Sequence, residues 1–403
     1  MPDTCDVAII GGGVVGCAVA HRLAADGRSV VLVEGGPRLG LGASDAAMGG
    51  ITPQSEPSCL GPLGAVAGRS RELYPAWLDE LAAASGVVVP LLDGGDIQVA
   101  LDEAEMERLE TEVLPVWMNS PFAVERLTAA DARGLEPLLS ESVAGGFLLP
   151  DELALDPRDL LAALAATLEA NPAVRVLTGV RATAVTSGPR GARAYLDSGD
   201  RVSAGFVVVA AGLLSRELLP GLRDHLLPIK GMAYDARVPE ARSYPLRHHV
   251  YAEFSEDGVE HSPYLVPRHD GRVAIGVTYE IGADDLTVTG AGLAEIRRGL
   301  EALMPAAVSW PVERRWAGLR PATTDRIPII GPVDANGYVL AATGHGGLGI
   351  TLAPVTADLV AALVRGGVDA GARELLRICR PDRPLAPWGP EGGPVDGERS
   401  AAS

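Results

Sequence analysis

The amino-acid sequence predicts an α/β fold in which a buried parallel sheet is joined by a second, antiparallel sheet. Three observations lead to this prediction: a strand–glycine turn–helix–strand unit at the start of the chain, two later strand–glycine turns, and alternating strand patterns between them. At 403 residues the chain is long enough for two domains with sizeable cores.

The first unit reads VAIIGGGVVGCAVAHRLAADGRSVVLVEGG. Residues 7–10 and 29–34 are the apolar, β-branched runs typical of parallel strands buried on both faces. Residues 14–24 are rich in alanine and valine and predict a helix that ends at Gly27. This order of elements is the βαβ unit that binds dinucleotides, and Glu34 stands where an acid accepts hydrogen bonds from a ribose.

The glycines of the turn have separate predicted tasks. Gly11 permits the tight turn, Gly13 lets a pyrophosphate approach the backbone, and Gly16 lets helix and strand pack closely. The helix start at Val14 and Val15 supplies free N–H groups and a positive potential for the phosphates. A purely structural turn and an N-terminal membrane segment are the competing interpretations. Glycines interrupt the apolar run and no basic stretch precedes it, which disfavours the membrane segment.

Composition and charge exclude several classes of function. A net charge of −18 argues against nucleic acid or an anionic membrane surface as the main partner. The four cysteines are scattered, which predicts reduced thiols and a cytoplasmic protein, and the histidines lack ligand spacing, which predicts no metal site. Homo-oligomerisation stays open. The Pro/Gly-rich tail 384–403 is expected to be disordered.

Two later segments repeat the strand–glycine turn. Residues 338–343 read as a strand, GHGGLG follows, and residues 351–364 have helical spacing with Thr351 as a candidate cap and Pro354 near the first turn. In the middle of the chain, strand 206–210 runs into a turn from Ala210 to Ser215 that is expected to contact the nucleotide through Ala211 and Gly212.

These separated turns have to meet in one domain, which favours a flavin over a nicotinamide. A flavin ring extends away from the pyrophosphate and has to be enclosed by protein. A positive helix start after GHGGLG suits the flavin edge that becomes negative on reduction.

The sequence resembles the FAD-dependent amine and amino-acid oxidases, the family of D-amino-acid oxidase, sarcosine oxidase and glycine oxidase. Within this family it resembles glycine oxidase most. The similarity runs to about Leu376. Its carriers are DVAIIGGGVVGCAVAHRLA, GASDAAMGGI, GGDIQVALDEAEMERL, LALDPRDLLAAL, VVVAAGLLS, PIKGMAY, YLVPRHDGRVAIGVT, WAGLRPATTDRIPIIG and GHGGLGITLAP.

The resemblance implies a Rossmann-like FAD-binding domain and an α+β substrate domain built on the antiparallel sheet. The FAD domain is expected to be discontinuous, over 1–85, 150–228 and 318–378, and the substrate domain to comprise 86–149 and 229–317. The strands GDIQVA, HVYAEF, YLVP and RVAIGVT would cover the flavin face, with helix 291–305 on the outer side of their sheet.

The same resemblance assigns cofactor contacts by position. Besides the first glycine turn, the residues expected to contact FAD are Ser44 at the pyrophosphate, Ala46, Ala47, Met48 and Gly49 beside the isoalloxazine ring, Val180 on the adenine side, and Gly344, Gly346, Gly347, Leu348, Gly349 and Ile350 at the pyrimidine edge, with Arg320 bordering the ring. Relatives that bind flavin covalently use a cysteine near the position of Gly318, so FAD is expected to be non-covalent here.

Substrate contacts follow from the chemistry of a carboxylate. The planar fork of arginine matches it, and the resemblance points to Arg320, although pairing with Asp325 is the structural alternative. Tyr264 is expected to hold the same carboxylate or to be a half-buried strand residue, and Tyr279 to form a pocket wall or to face solvent. His345 either bonds flavin or product or caps its turn. Some glycine oxidases carry an arginine where this chain has Gly347, which weakens the case for glycine as substrate.

The expected reaction needs few side chains. A neutral amine transfers hydride from its Cα to flavin N5, the imine hydrolyses, and O₂ reoxidises the flavin to give H₂O₂. The protein supplies orientation and excludes water. Lys230, the only lysine, either assists oxygen reduction or makes a hinge contact.

Three other functions compete with this one. A dehydrogenase on the same fold would pass electrons from an amino acid or 2-hydroxy acid to a quinone. A non-catalytic flavoprotein would have no need of Arg320. An NAD-dependent dehydrogenase leaves the C-terminal glycine turn unexplained.

Overall fold

A computed structural model describes residues 3–239, 246–256 and 258–386. Most of the predicted disordered tail, from residue 387 onward, lies outside the described residues. Two large sheets dominate the described chain, one of eight strands and one of nine, and this confirms the predicted α/β class.

The first sheet has the parallel core that the sequence predicts. Strand Asp3–Ile10 lies at its centre between two parallel neighbours, Val30–Glu34 and Arg201–Val209. Across the sheet the order is Ile329–Pro332, Val339–Thr343, Arg201–Val209, Asp3–Ile10, Val30–Glu34 and Val174–Thr178, and the hairpin Ala182–Gly188/Gly191–Leu196 adds the remaining two strands through Arg201–Val209. The edge strand Ile329–Pro332 is the one antiparallel member of this row.

Both faces of this sheet are buried, which explains the unbroken apolar runs. Val7 and Ile9 pack on the helical side, whereas Ala8 and Ile10 belong to the core on the opposite face. The helices on the first side are Val14–Ala25, Leu63–Ser85, Pro157–Ala170, Gly349–Arg365 and Ala370–Cys379.

The helix after the C-terminal glycine turn begins earlier than predicted. It runs over Gly349–Arg365 with Leu348 as its N-cap, so the expectation that Thr351 caps it is wrong. The Thr351 hydroxyl lies inside the first turn and donates to the carbonyl of Gly50 at 3.1 Å.

Pro354 leaves one carbonyl of this helix without its usual donor. A proline lacks an N–H, and the group that would accept from position 354 is the carbonyl of Ile350, four residues earlier. The hydroxyl of Tyr74 donates to that carbonyl. Tyr74 is fully buried, and burial raises the pKa of its phenol above the usual range, so the hydroxyl stays a donor.

Tyr74→Phe is therefore expected to lower the free energy of unfolding by about 1–3 kcal/mol, since it leaves a buried carbonyl unpaired. Urea unfolding monitored by circular dichroism measures the change. Tyr195→Phe, on the half-buried Tyr195, is the control and is expected to stay within about 0.5 kcal/mol of the parent. Equal stability of Tyr74→Phe and the parent would contradict this account of the helix start.

The second sheet is mostly antiparallel. Its order is Glu280–Ile281, Leu226–Arg237, Arg272–Gly276, Tyr264–Pro267, His249–Ala252, Asp96–Ala100, Gly145–Leu149 and Glu125–Thr128, and Val312–Thr323 pairs with the free side of Leu226–Arg237. The pair His249–Ala252 and Asp96–Ala100 is parallel, unlike its neighbours. Helix Gly290–Leu303 packs through Ile296 and Leu300 on the face where the sequence predicts it.

Shorter elements complete the chain. Two-stranded ribbons join Gly50–Ile51 to Leu153–Ala154 and Phe254–Glu256 to Val259–His261. The remaining helical segments are Pro57–Leu60, Glu103–Arg108, Leu109–Val113, Leu114–Met118, Ala129–Leu135, Gly212–Leu214, Ser215–Leu218, Pro220–Leu222 and Pro305–Ser309.

Two of the predicted domain boundaries fall inside long strands. Residues 228/229 lie within Leu226–Arg237 and 317/318 within Val312–Thr323, and these two strands pair with each other along their length. An isolated bridge between Ala322 and His345 connects this ribbon to the C-terminal glycine turn. The division into domains stays a prediction.

In the described part of the chain, no single helix combines the length and apolar character needed to cross a membrane. Gly349–Arg365 and Ala370–Cys379 meet that standard only when taken together, and they are bent by 110°.

Candidate active site

A cavity of about 740 Å³ lies where the two sheets meet. The carboxyl ends of three parallel strands, Asp3–Ile10, Arg201–Val209 and Val339–Thr343, open onto it. Parallel sheets bind ligands at this edge, and the glycine turns that follow the strands supply backbone N–H groups.

In the first glycine turn, Gly11 and Gly16 could be replaced by another residue only if the backbone moved. Gly11 has φ +108°, and a Cβ on it would lie 2.5 Å from the carbonyl oxygen of Ala210. A Cβ on Gly16 would lie 1.9 Å from the carbonyl oxygen of Gly11. The turn therefore packs directly against the neighbouring strand end and the first helix, and Gly13 is left lining the cavity.

The start of the first helix, Val14–Ala25, is covered by the loop that carries Ser44. The N–H of Val14 donates to the Ser44 hydroxyl oxygen at 3.0 Å, and no acidic residue lies in the first helical turn. The positive end of this helix thus faces the cavity, with the Ser44 hydroxyl beside Gly13.

The Glu34 carboxylate lines the cavity and is already engaged by the backbone. It accepts hydrogen bonds from the N–H of Gly12 at 2.7 Å and of Gly36 at 2.6 Å. Each carboxylate oxygen has capacity for a further donor, so Glu34 retains the ability to bind a ribose hydroxyl.

The middle and C-terminal glycine turns are tied together. The hydroxyl of Thr343 donates to the carbonyl of Gly212 at 2.9 Å. Gly344 and Gly346 adopt φ values of +77° and +55°, which direct the chain into helix Gly349–Arg365.

His345 lines the cavity, but its ring makes its hydrogen bond within the protein, to the helix that follows the turn. Nε2 lies 3.0 Å from the hydroxyl of Thr356 on the following helix. Burial lowers the pKa of His345 to about 4, so the ring is neutral at physiological pH. This contact fixes the turn to its helix, which corresponds to the structural alternative for His345.

The stretch predicted to border the flavin ring lies against strand Val312–Thr323. The carbonyl of Ala46 accepts from Nε1 of Trp316 at 2.9 Å. A Cβ on Gly318 would lie 2.4 Å from the Cβ of Ala46, so this position has no room for a cysteine side chain. All four cysteines fall in the described part of the chain and none of them lines the cavity.

Arg320 reaches into the cavity from this strand. Its guanidinium lies 4.6 Å from the centroid of the Tyr279 ring, and Nη1 donates to the carbonyl of Thr278 at 3.3 Å. Within the described residues it forms no ion pair with a carboxylate. Asp325, the alternative partner, is bound by Arg383 through both of its oxygens. Arg320 therefore keeps donors available for an anion in the cavity.

Two tyrosines complete this wall. The Tyr264 hydroxyl lies 3.5 Å from Nδ1 of His249, and burial, reinforced by nearby negative charges, raises the pKa of its phenol well above the usual range. Tyr279 is 52% exposed and lines the cavity mouth, so it both faces solvent and contacts Arg320.

Most predicted site residues converge on this one cavity. Those that line it are Gly11, Gly13, Val14, Val15, Glu34, Ser44, Ala46, Ala47, Met48, Gly49, Ala211, Gly212, Tyr264, Tyr279, Arg320, Gly344, His345, Gly346, Gly347, Leu348, Gly349 and Ile350. Gly16 and Val180 do not line it. The N–H of Val180 donates to the carbonyl of Glu34, and its neighbours Arg181 and Ala182 reach the cavity instead.

Other groups at the cavity were missed in the sequence. Asp96, Gln98 and Tyr251 all line it, and Tyr251 pairs in register with Gln98 on one side and Tyr264 on the other. The alternation in GDIQVA and HVYAEF indicated strands, but only the register shows which face meets the cavity. Lys230 lies outside the lining and pairs with Asp285 at 3.2 Å.

This fold and cavity define a protein that holds a dinucleotide cofactor between a parallel sheet and a covering sheet. Residues 6–363 match the sequence profile of the DAO family, described as FAD dependent oxidoreductase. The chain belongs to this family, and it is an FAD-dependent oxidoreductase.

Known relatives span nearly the whole chain. Glycine oxidase of Geobacillus kaustophilus is 34% identical over 364 residues, which cover 89% of this chain and 92% of that protein. D-amino acid dehydrogenase 2 of Pseudomonas aeruginosa is 30% identical, covering 88% and 94%. The crystal structure of the Geobacillus kaustophilus glycine oxidase superposes with a TM-score of 0.82 at 32% identity, covering 91% of this chain and 96% of that one.

Proposed function

We propose that this enzyme is a glycine-oxidase-like oxidase of an amino acid or small amine. The observation that carries the proposal is the Arg320 guanidinium, which is held in the cavity with no carboxylate partner among the described residues. The similarity to glycine oxidase and to D-amino acid dehydrogenase 2 supports an amino-acid substrate.

The glycine turns fit FAD. The backbone N–H of Gly13 and the hydroxyl of Ser44 would hold the pyrophosphate, Glu34 the adenosine ribose, and the segment from Ala46 to Gly49 one face of the ring. Bound FAD would supply the redox chemistry, a two-electron oxidation of the substrate amine to an imine coupled to reduction of O₂ to H₂O₂, and hydrolysis of the imine would give a carbonyl compound and ammonia or an amine. The crowding of Gly318 against Ala46 supports non-covalent binding.

Arg320 would bind the substrate carboxylate in a charge-assisted pair, and the Tyr264 hydroxyl would add a second donor. Tyr279, stacked on the guanidinium, would hold Arg320 in position and wall the mouth of the cavity. These contacts orient the Cα–H and exclude water, which is the contribution that a flavin oxidase needs from its side chains.

A screen of glycine, sarcosine, D- and L-amino acids and small amines tests the proposal. Under air, the FAD-loaded protein is expected to consume O₂ and release one H₂O₂ per substrate oxidised. A parallel series with an artificial electron acceptor identifies the alternative, a dehydrogenase that reduces the acceptor and forms little peroxide. If no amino acid or amine bleaches the flavin under anaerobic conditions, the proposed function is wrong.

Cytoplasmic location and the absence of nucleic-acid and membrane partners stay predictions from the sequence, and homo-oligomerisation stays open.

A further inference from the structure

The loop between the second strand and the flavin site is held in place by contacts with other parts of the protein. Residues 35–49, all of them described by the structure, contain no helix or strand. Three consecutive members of this loop, Ser44, Asp45 and Ala46, line the cavity. Since no ladder of backbone hydrogen bonds fixes a loop of this length, its position depends on the contacts that these residues make.

On one side the loop is attached to the first glycine turn. The Ser44 hydroxyl oxygen accepts from the N–H of Val14 at 3.0 Å, and a Cβ on Gly13 would lie 3.1 Å from the same oxygen. Ser44 is also the residue proposed above to contact the pyrophosphate. A shift of the loop therefore moves a group that is expected to bind FAD.

On the other side the loop is attached to the covering sheet. Arg314 and Trp316 are two residues apart on strand Val312–Thr323, which places them on the same face, and both line the cavity. Nη2 of Arg314 donates to Oδ2 of Asp45 at 2.9 Å, and Nε1 of Trp316 donates to the carbonyl of Ala46 at 2.9 Å. Two adjacent loop residues are thus bound to two side chains of one covering strand.

Each partner of the Asp45–Arg314 ion pair keeps other contacts if the pair is broken. Arg38 and Arg158 also lie near Oδ1 of Asp45, at 3.6 and 3.9 Å, so the carboxylate retains cationic neighbours without Arg314. The Arg314 guanidinium lies 4.7 Å from the centroid of the Trp316 ring, and its side chain is 33% exposed, so without Asp45 it still contacts the ring and solvent. Breaking the pair therefore loosens the loop from the strand more than it disturbs the fold.

We propose that the Asp45–Arg314 ion pair holds the cofactor-binding loop against the covering sheet and thereby slows the dissociation of FAD. The loop and the strand line the same cavity, so a cofactor enclosed between them leaves more easily when they separate. Asp45 and Arg314 are positioning residues, because they act through Ser44 and Ala46. This inference goes beyond the proposed substrate and rests on the FAD contacts proposed for Ser44 and Ala46.

The rate of FAD release from the loaded protein tests the proposal. After dilution, the fluorescence of free FAD reports its release, and far-UV circular dichroism reports the fold over the same time. Asp45→Ala and Arg314→Met are each expected to release FAD about tenfold faster or more, through loss of a charge-assisted hydrogen bond, while the circular dichroism stays constant. Arg314→Lys keeps the charge but loses the planar fork, so its rate should be intermediate.

Parental release rates in both Asp45→Ala and Arg314→Met would overturn the proposal and would indicate an ion pair of the weak kind common on protein surfaces. Release that follows a loss of circular dichroism would also overturn it, since the variants would then be unfolding. Arg297→Met is the control. It breaks the exposed pair of Arg297 with Glu301, whose atoms lie 2.8 Å apart outside the cavity, and should keep the parental rate.

The double variant Asp45→Ala/Arg314→Met distinguishes a pair from two independent residues. Both substitutions remove the same contact, so the double variant is expected to release FAD no more than about threefold faster than the faster single variant. Single effects that multiply in the double variant would overturn the proposal. Should Arg314→Met fail to load FAD, Arg314→Lys takes its place in this comparison.

FAD release needs no substrate, which separates this inference from the proposed function. If no amino acid or amine is oxidised, the proposed function is wrong, and the release rates still decide the role of the Asp45–Arg314 pair. Parental release rates in variants that oxidise an amino acid normally would refute only the role of the pair.

Discussion

Replacing Arg320 with alanine is expected to lower kcat/KM for an amino-acid substrate about 10- to 150-fold, mostly through KM. A charge-assisted hydrogen-bonded contact to a carboxylate is worth about 1.5–3 kcal/mol, and each 1.4 kcal/mol is a factor of about ten. The guanidinium has no carboxylate partner among the described residues, so the variant breaks no internal ion pair. Steady-state assays of O₂ consumption measure the change.

Two further arginine variants make this result specific. Arg320→Lys keeps the charge but loses the planar fork, so its kcat/KM should fall between the values of the parent and the alanine variant. Arg193→Ala removes an exposed arginine outside the cavity and should leave the kinetics unchanged. An Arg320→Ala enzyme with parental kcat/KM would show that the carboxylate binds elsewhere.

Gly11→Ala is expected to abolish stable FAD binding and to lower the free energy of unfolding by about 2–5 kcal/mol. The new Cβ would lie 2.5 Å from the carbonyl oxygen of Ala210, and φ of +108° is unfavourable for any residue with a side chain. Relief of this clash moves the turn away from the neighbouring strand end, where the pyrophosphate is expected to bind.

The measurements are flavin content after purification and urea unfolding. FAD released by heating the parent protein gives the reference content and tests whether the cofactor is non-covalent. Gly134→Ala is the matched control, since Gly134 is helical with open space around its Cβ position, and its stability should rise by about 0.5–1 kcal/mol. A Gly11→Ala protein that retains full flavin would refute the tight packing of this turn.

The parallel sheet could be predicted from the sequence because its strands are buried on both faces and its turns need glycine. The structure has a buried strand over the apolar run 7–10 and a tight glycine turn after it, as the sequence predicts. The local sequence pattern was less reliable for the start of the helix after the C-terminal glycine turn. Thr351 resembles a cap, but helix Gly349–Arg365 extends back to the glycine turn, and Tyr74, 276 residues away in sequence, completes its hydrogen bonding.

The candidate site could be predicted in part. Turn chemistry predicts Gly11 and Gly344, and the resemblance predicts Arg320. Asp325 does not pair with Arg320 because Arg383 binds its carboxylate. No local sequence pattern links Arg383 to Asp325. Asp96 and Tyr251 were missed because their positions at the cavity arise from strand register, which joins segments far apart in the chain.

A crystal structure of the FAD-loaded protein with an inert carboxylate ligand such as hexanoate tests the central claim most directly. The account predicts the flavin ring in this cavity beside the segment from Ala46 to Gly49, and the ligand carboxylate on the Arg320 guanidinium. A flavin bound outside this cavity, or a ligand carboxylate with no contact to Arg320, would contradict it.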